Sequence, residues 1–101
     1  MPYDDHLAER VRDALRDYGD ADEREMLGGL MFYMGGKMLA GVIQDQLVLR
    51  LSPEAAAEAL ARNSIDAHAE PEMPGIVSVS PAGYEEEADL EDWIRLAVNS
   101  R

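Results

Sequence analysis

The sequence predicts a two-layer α+β fold, an antiparallel sheet covered by helices, and three observations carry that prediction. Apolar residues recur with a helical period at both ends of the chain and with a period of two through its middle, where paired turn residues punctuate the sequence at short intervals. The predicted order is α-β-β-β-α-β-β-α. At 101 residues the chain has room for one compact domain, taken as residues 1–101, and not for two.

The first helix falls at about residues 5–18, where Leu7, Val11, Ala14, Leu15 and Tyr18 line one face. Asp4 or Asp5 can accept from the free N–H groups at its start, and Gly19 can close its end in the left-handed conformation. After the loop Asp20-Ala21-Asp22, three strands near residues 24–34, 38–44 and 47–51 read as an antiparallel meander. Gly35-Gly36 supplies a two-residue hairpin turn and Asp45-Gln46 the next reversal. In the first strand, alternation puts Met26, Gly28, Leu30 and Phe32 on one face and Leu27, Gly29, Met31 and Tyr33 on the other. Both faces are apolar, so neither is expected to be freely solvated. Gly28-Gly29 inside this run calls for a bulge or a close backbone neighbour, the first helix crossing the sheet being the expected neighbour.

Ser52-Pro53-Glu54 is a helix start, because Ser accepts from the free backbone donors, Pro is tolerated in the first turn and Glu complements the dipole. This helix should run to about Arg62 and end at Asn63. Residues 64–74, with Pro71 and Pro74, read as a loop or a weakly paired edge strand. Ile76, Val77 and Val79 mark another strand, closed by a turn at Pro81-Ala82-Gly83. The acidic Glu85-Glu86-Glu87 leads into a last helix on which Leu90, Trp93, Ile94, Ala97 and Val98 form an apolar stripe. Trp93 is therefore expected to be buried against the sheet.

Charge and composition narrow the function classes. With 21 acidic and nine basic side chains the formal net charge is −12, a field that repels nucleic acid and anionic lipid. Eight of the nine bases are Arg and only Lys37 is Lys, which favours bidentate pairing with carboxylates. The chain has no cysteine, no apolar run near the roughly 20 residues of a membrane span, and an acidic start where a signal peptide would be basic. A soluble cytoplasmic protein is the expectation.

Motifs for chemistry are sparse. Gly29 to Gly36-Lys37 lacks phosphate-loop spacing, Met38 stands where Ser or Thr would be needed, and a strand follows instead of a helix. His68-Ala69-Glu70 lacks the cysteine ligands of a zinc deaminase, and His6 beside Asp4 and Asp5 reads as part of a solvated cap. No catalytic residue, cofactor or metal is assigned. Met26, Met31, Met34 and Met38 leave two readings open: core packing, or an adaptable surface for a peptide or a second copy.

One family resemblance stands out. The stretch Glu25-Met26-Leu27-Gly28-Gly29-Leu30-Met31-Phe32-Tyr33-Met34-Gly35-Gly36-Lys37 is similar to the strand and hairpin of the TfoX/Sxy N-terminal domain family. Leu47-Val48-Leu49-Arg50-Leu51, Met73-Pro74-Gly75-Ile76-Val77 and Leu90-Glu91-Asp92-Trp93-Ile94 resemble its later strands and the start of its last helix. The resemblance implies an α-β3-α-β2-α layout related to secretion-chaperone-like domains, in a single-domain member without the second domain of full-length relatives. It also implies a role in promoting competence-gene transcription. The motif positions Met26, Gly28, Gly29, Phe32, Gly36, Arg50 and Trp93 are carried over as structural or partner-binding candidates. Leu27 stands where the family has Phe, and His68, Glu70 and Glu72 depart from its basic or neutral loop, which argues against inherited DNA contact.

The expected function is thus a non-enzymatic regulator acting through protein partners, with no direct nucleic-acid or membrane binding and with a homodimer compatible. The alternative is a chaperone-like module for an extended peptide; a small-molecule-binding protein or enzyme ranks third.

Overall fold

The structure, a computed structural model, describes residues 3–26 and 28–100. Helix α1 (Asp5–Arg16) is capped by Asp4, whose Oδ1 accepts from the backbone N–H groups of His6 at 2.9 Å and Leu7 at 3.1 Å. Its apolar stripe buries Leu7, Ala8, Val11 and Leu15. The helix stops two residues sooner than the periodicity suggests, so Tyr18 lies beyond it and is exposed, and Gly19 turns the chain with φ +138°.

A six-stranded antiparallel sheet follows: β1 (Asp22–Met26), β2 (Gly29–Met34), β3 (Lys37–Ile43), β4 (Gln46–Arg50), β5 (Ala67–Ala69) and β6 (Ile76–Val79). Their order across the sheet is β1-β2-β3-β4-β6-β5. The predicted class holds, with one more strand in the meander than expected. The long first strand is in fact two, because the chain reverses between Met26 and Gly29, which are cross-strand partners. Gly28 makes that turn possible with φ +76°, a conformation that costs an L side chain about 1 kcal/mol or more. The close neighbour of Gly29 is β3 and not α1: a Cβ there would overlap the Val42 carbonyl oxygen and sit 2.8 Å from Ile43 Cγ1. The turn also corrects the face assignment. Cross-strand partners share a face, so Met26 joins Met31 and Tyr33 and not Leu30 and Phe32. Leu27, placed on the Met31 face by simple alternation, lies outside the described residues.

Gly35-Gly36 forms the expected hairpin turn, with φ +60° and +80°. The next reversal is one residue earlier than expected, at Gln44-Asp45, where Gln44 takes φ +55° and Gln46 already belongs to β4. The bulge lies in β3 and not at Gly28-Gly29: register slips between Phe32 and Tyr33, and the extra residue Leu39 turns into the core beside Ala40.

Helix α2 (Pro53–Arg62) begins as expected, with Ser52 Oγ accepting from Ala55 N–H at 3.2 Å. The proposed edge strand is realised as the three residues of β5. Pro81-Ala82-Gly83 is not an open turn but the body of a short helix, α3 (Pro81–Tyr84), favoured by Pro in its first turn. It is held by the Tyr84 hydroxyl, which donates to the Asp45 carbonyl at 2.6 Å. Burial, with Asp4 and Asp45 nearby, pushes that phenol above its ordinary pKa. Helix α4 (Glu87–Asn99) then buries Leu90, Trp93, Ile94, Ala97 and Val98, the whole expected stripe.

Side chains from α1, α2 and α4 close one core with Leu30, Phe32, Leu39, Leu47, Leu49 and Val79, so the helices all lie on one face of the sheet. Arg10 ties this layer together, donating to the Tyr84 carbonyl at 2.8 Å and pairing with Glu87 at 3.2 Å. Arg12 holds β1 to α1 by donating from Nε and Nη2, one edge of its guanidinium, to the two carboxylate oxygens of Glu23. These hydrogen bonds, aided by the opposite charge and opposed by partial burial, keep the Glu23 carboxyl below the usual range. A depressed folded-state pKa contributes stability above the ordinary glutamate value of about 4.3 and loses it as pH falls through the folded one. Glu23→Gln is therefore expected to cost less than about 1 kcal/mol at neutral pH, the pair being partly exposed. The gap between variant and parent should narrow as pH falls below the ordinary glutamate range in urea melts, and a gap independent of pH would contradict the pairing.

Candidate functional site

The opposite face of the sheet carries no helix, yet it is not polar. Register aligns Arg24, Met31, Gly41, Val48, Ser78 and His68 in one row across all six strands. Met31, Val48, Ile76 and Ser78 are buried there although they lie outside the core that the helices close. Gly41 explains how Met31 lies flat: a Cβ at that position would collide with the Met31 sulfur and come within 3.0 Å of the Leu30 carbonyl oxygen. Tyr33 and Met38, partners across β2 and β3, form the next row. At the far side the segment of residues 70–75 folds back as a rim. Ser78 Oγ donates to Glu70 Oε1 at 2.9 Å, Glu70 N–H to the Ile76 carbonyl at 3.0 Å, and Ile76 N–H to the Met73 carbonyl at 3.1 Å.

Between floor and rim lies a cavity of about 350 Å³ lined by Met26, Met31, Met38 and Met73, four of the six methionines of the chain. A second, of about 680 Å³, shares Tyr33, Met38, Arg50 and Pro74 with it and continues past Lys37 to Ser52 and Pro53 at the start of α2. The two form one groove. The thioethers give it an adaptable apolar surface, and the Tyr33 hydroxyl fixes one wall by donating to Met26 Sδ at 3.1 Å.

The electrostatics single out the same place. Arg10, Arg12, Arg16, Arg62 and Arg95 each pair with a carboxylate. Among the described residues, Arg24, Lys37 and Arg50 are the basic side chains with no carboxylate at ion-pair distance. Lys37 and Arg50 line the groove, and the Arg24 guanidinium lies over the Tyr33 ring, 4.6 Å from its centroid. In a chain of net charge −12, the unpaired cations among the described residues border one groove: Arg24 and Arg50 stand on its face of the sheet, and Lys37, the register partner of Met34, reaches it from the end of the β2–β3 hairpin.

Of the motif residues taken from the sequence, Met26, Gly36 and Arg50 meet at this groove. Gly28 and Gly29 shape the hairpin beside it. Phe32 and Trp93 belong to the opposite layer, fully buried and 5% exposed respectively, and serve the core. The methionine group likewise divides: Met34 points into the core, whereas Met26, Met31 and Met38 face the groove. Sequence reasoning missed Met73, Tyr33, Arg24 and Lys37 as members of the site. Strand parity finds Tyr33, which alternates with Met31, and, once the reversal at Gly28 is recognised, Arg24, the partner of Met31. Lys37 pairs with core-facing Met34 and Met73 lies outside the strands, so parity marks neither. His6 and His68 are both exposed, and among the described residues no three His, Asp or Glu side chains are grouped to hold a metal ion.

Fold and groove together define a helix-backed antiparallel-sheet domain with one uncovered, methionine-lined face. The family model of the TfoX N-terminal domain matches residues 13–100, nearly the whole chain, and the protein belongs to that family. The match spans every strand and all the groove-lining residues named above. Comparison with curated proteins and with solved structures gives no significant match. Among the described residues no helix is long and apolar enough to cross a membrane.

Proposed function

We propose that this TfoX N-terminal domain protein is a non-enzymatic cytoplasmic regulator, linked to transcription, that acts through protein contacts made by the uncovered sheet face. The observation that carries the reading is the groove itself: among the described residues, apolar side chains with no helix over them, beside three cations with no carboxylate partner. Above the buried floor Met26 is exposed and Tyr33, Met38 and Met73 are half-buried, and apolar surface left open beside unpaired charge is a usual mark of a contact site. The open, elongated shape of the groove supports the chaperone-like reading equally at the level of mechanism, since both need a surface for a partner segment. They differ in the partner's identity.

Affinity capture from a native extract, run with an open-face variant (Arg50→Glu) and a helix-layer variant (Glu91→Arg), separates the surfaces. The open-face change should abolish capture and the helix-layer change should leave it intact; capture that survives Arg50→Glu and fails with Glu91→Arg would overturn the assignment. Transcription proteins among the captured set favour the regulator, and one abundant exported client favours the chaperone. Duplex DNA should not be bound at physiological salt, because the three unpaired cations among the described residues cannot offset a net charge of −12. A gel shift that saturates at micromolar protein and weakens as salt rises would refute this.

A further inference from the structure

We propose that the groove takes a short acidic segment of a partner protein, bound extended, with apolar side chains at its centre and carboxylates at both ends. The proposal rests on the reading of the uncovered face as the contact surface and goes on to name what occupies it.

Charge complementarity is the first argument. Among the described residues, five arginines are neutralised by the chain's own carboxylates, and Arg24, Lys37 and Arg50 have none at ion-pair distance. Of the carboxylates that the register and hydrogen bonds place on the same face, Glu70 is engaged by Ser78, and Asp22, the partner of Tyr33, stands at the start of the edge strand β1. A guanidinium beside an apolar wall binds carboxylates strongly, since it is weakly hydrated and offers paired donors. Spacing is the second. Arg24 sits on β1 and Arg50 on β4, three strand steps apart, which is about 14 Å at the usual inter-strand distance. An extended peptide spans that distance with about four residues. Between the two cations lie Met31, Tyr33 and Met38, so the middle of such a peptide meets thioethers and a ring while its ends meet positive charge.

The same observations disfavour other occupants. A metal cation would be repelled by the arginines that border the thioethers, and nucleic acid by the overall charge. A second copy pairing antiparallel through the edge of β1, centred on Arg24, would set Arg24 against Arg24 and Glu23 against Glu25, contacts that like charge makes unfavourable.

The test is a fluorescence anisotropy titration of the whole protein with labelled Asp-Glu-Leu-Phe-Leu-Glu-Asp, its Asn/Gln counterpart and its Lys counterpart. Each is repeated with methyl-labelled methionine to locate binding. The acidic peptide should bind at least about tenfold more tightly than the amide version, weaken with salt, and shift the Met31 and Met38 methyl resonances. Lys37→Glu/Arg50→Glu, both at exposed positions, should remain folded by circular dichroism, lose the acidic peptide and gain the Lys one. Equal binding of the amide peptide with the same methyl shifts would overturn the acidic assignment while leaving the contact face intact. Binding that moves helix-layer resonances and no groove methionine would overturn both. Displacement by millimolar inorganic phosphate would replace the peptide with a small anion, and concentration-dependent dimerisation that blocks the site would replace it with a second copy. Failure of all three peptides to bind would also overturn it.

Discussion

Trp93→Ala is expected to destabilise the protein by about 3–5 kcal/mol, the largest effect of any single substitution considered. Trp93 is 5% exposed on α4, within the core that joins the helices to the sheet. Its indole Nε1 donates to the Gly83 carbonyl at 2.9 Å, so the ring both fills volume and holds α3 against α4. Truncation leaves a cavity and strips that buried carbonyl of its donor, two penalties that add to the lost apolar burial. Because a domain of this size is stable by only about 5–15 kcal/mol, the variant should melt well over 10 °C below the parent, at roughly 4–8 °C per kcal/mol. Trp93→Phe, which keeps most of the volume, should recover part of the loss. Thermal and urea melts check both, and a Trp93→Ala protein melting within a degree or two of the parent would mean that the side chain is not part of the core.

The double variant Gly28→Ala/Gly29→Ala should cost about 2–5 kcal/mol even though alanine is the better strand residue, and the two halves of that cost have different origins. At position 28 the penalty is conformational, because φ is +76° while nothing lies within 4 Å of an added Cβ. At position 29 it is steric, because the obstacle is the Val42 carbonyl, a backbone group that cannot move without breaking the β2–β3 ladder. Single variants should therefore differ. Gly28→Ala should weaken the protein without disturbing β3, and Gly29→Ala should speed amide exchange at Leu30 and Val42. A double variant more stable than the parent would refute the account of the hairpin, and one that melts normally but no longer binds a partner would move the glycines from architecture to recognition.

Legibility in the sequence followed the range of the interactions. Ser52 with Pro53 announces α2, and the Leu90, Trp93, Ile94, Ala97, Val98 stripe announces α4, because capping and periodicity are local and need no partner. The same holds for Gly35-Gly36. The reversal between β1 and β2 was hidden because its glycines sit within a continuous apolar run, where a turn and a bulge look alike. That one ambiguity inverted the parity of Met26 and so dispersed the groove over both faces. The free cations were illegible for a different reason: which arginine is neutralised depends on tertiary contacts, such as Arg12 with Glu23 at a separation of 11 residues and Arg10 with Glu87 at 77. Met73 reaches the other groove methionines only through the return of the segment of residues 70–75 over the sheet.

The central claim, that partners meet the uncovered face of the sheet, is tested most directly by a methionine-methyl NMR titration with a captured partner. The protein carries its own control. Met26, Met31, Met38 and Met73 line the groove, whereas Met34 is buried on the helix side. Binding at the groove should shift or broaden the four groove methyl resonances and leave that of Met34 in place. Four unmoved groove signals, with changes confined to amides of α1 and α4, would show that the partner docks on the helices and would contradict the claim.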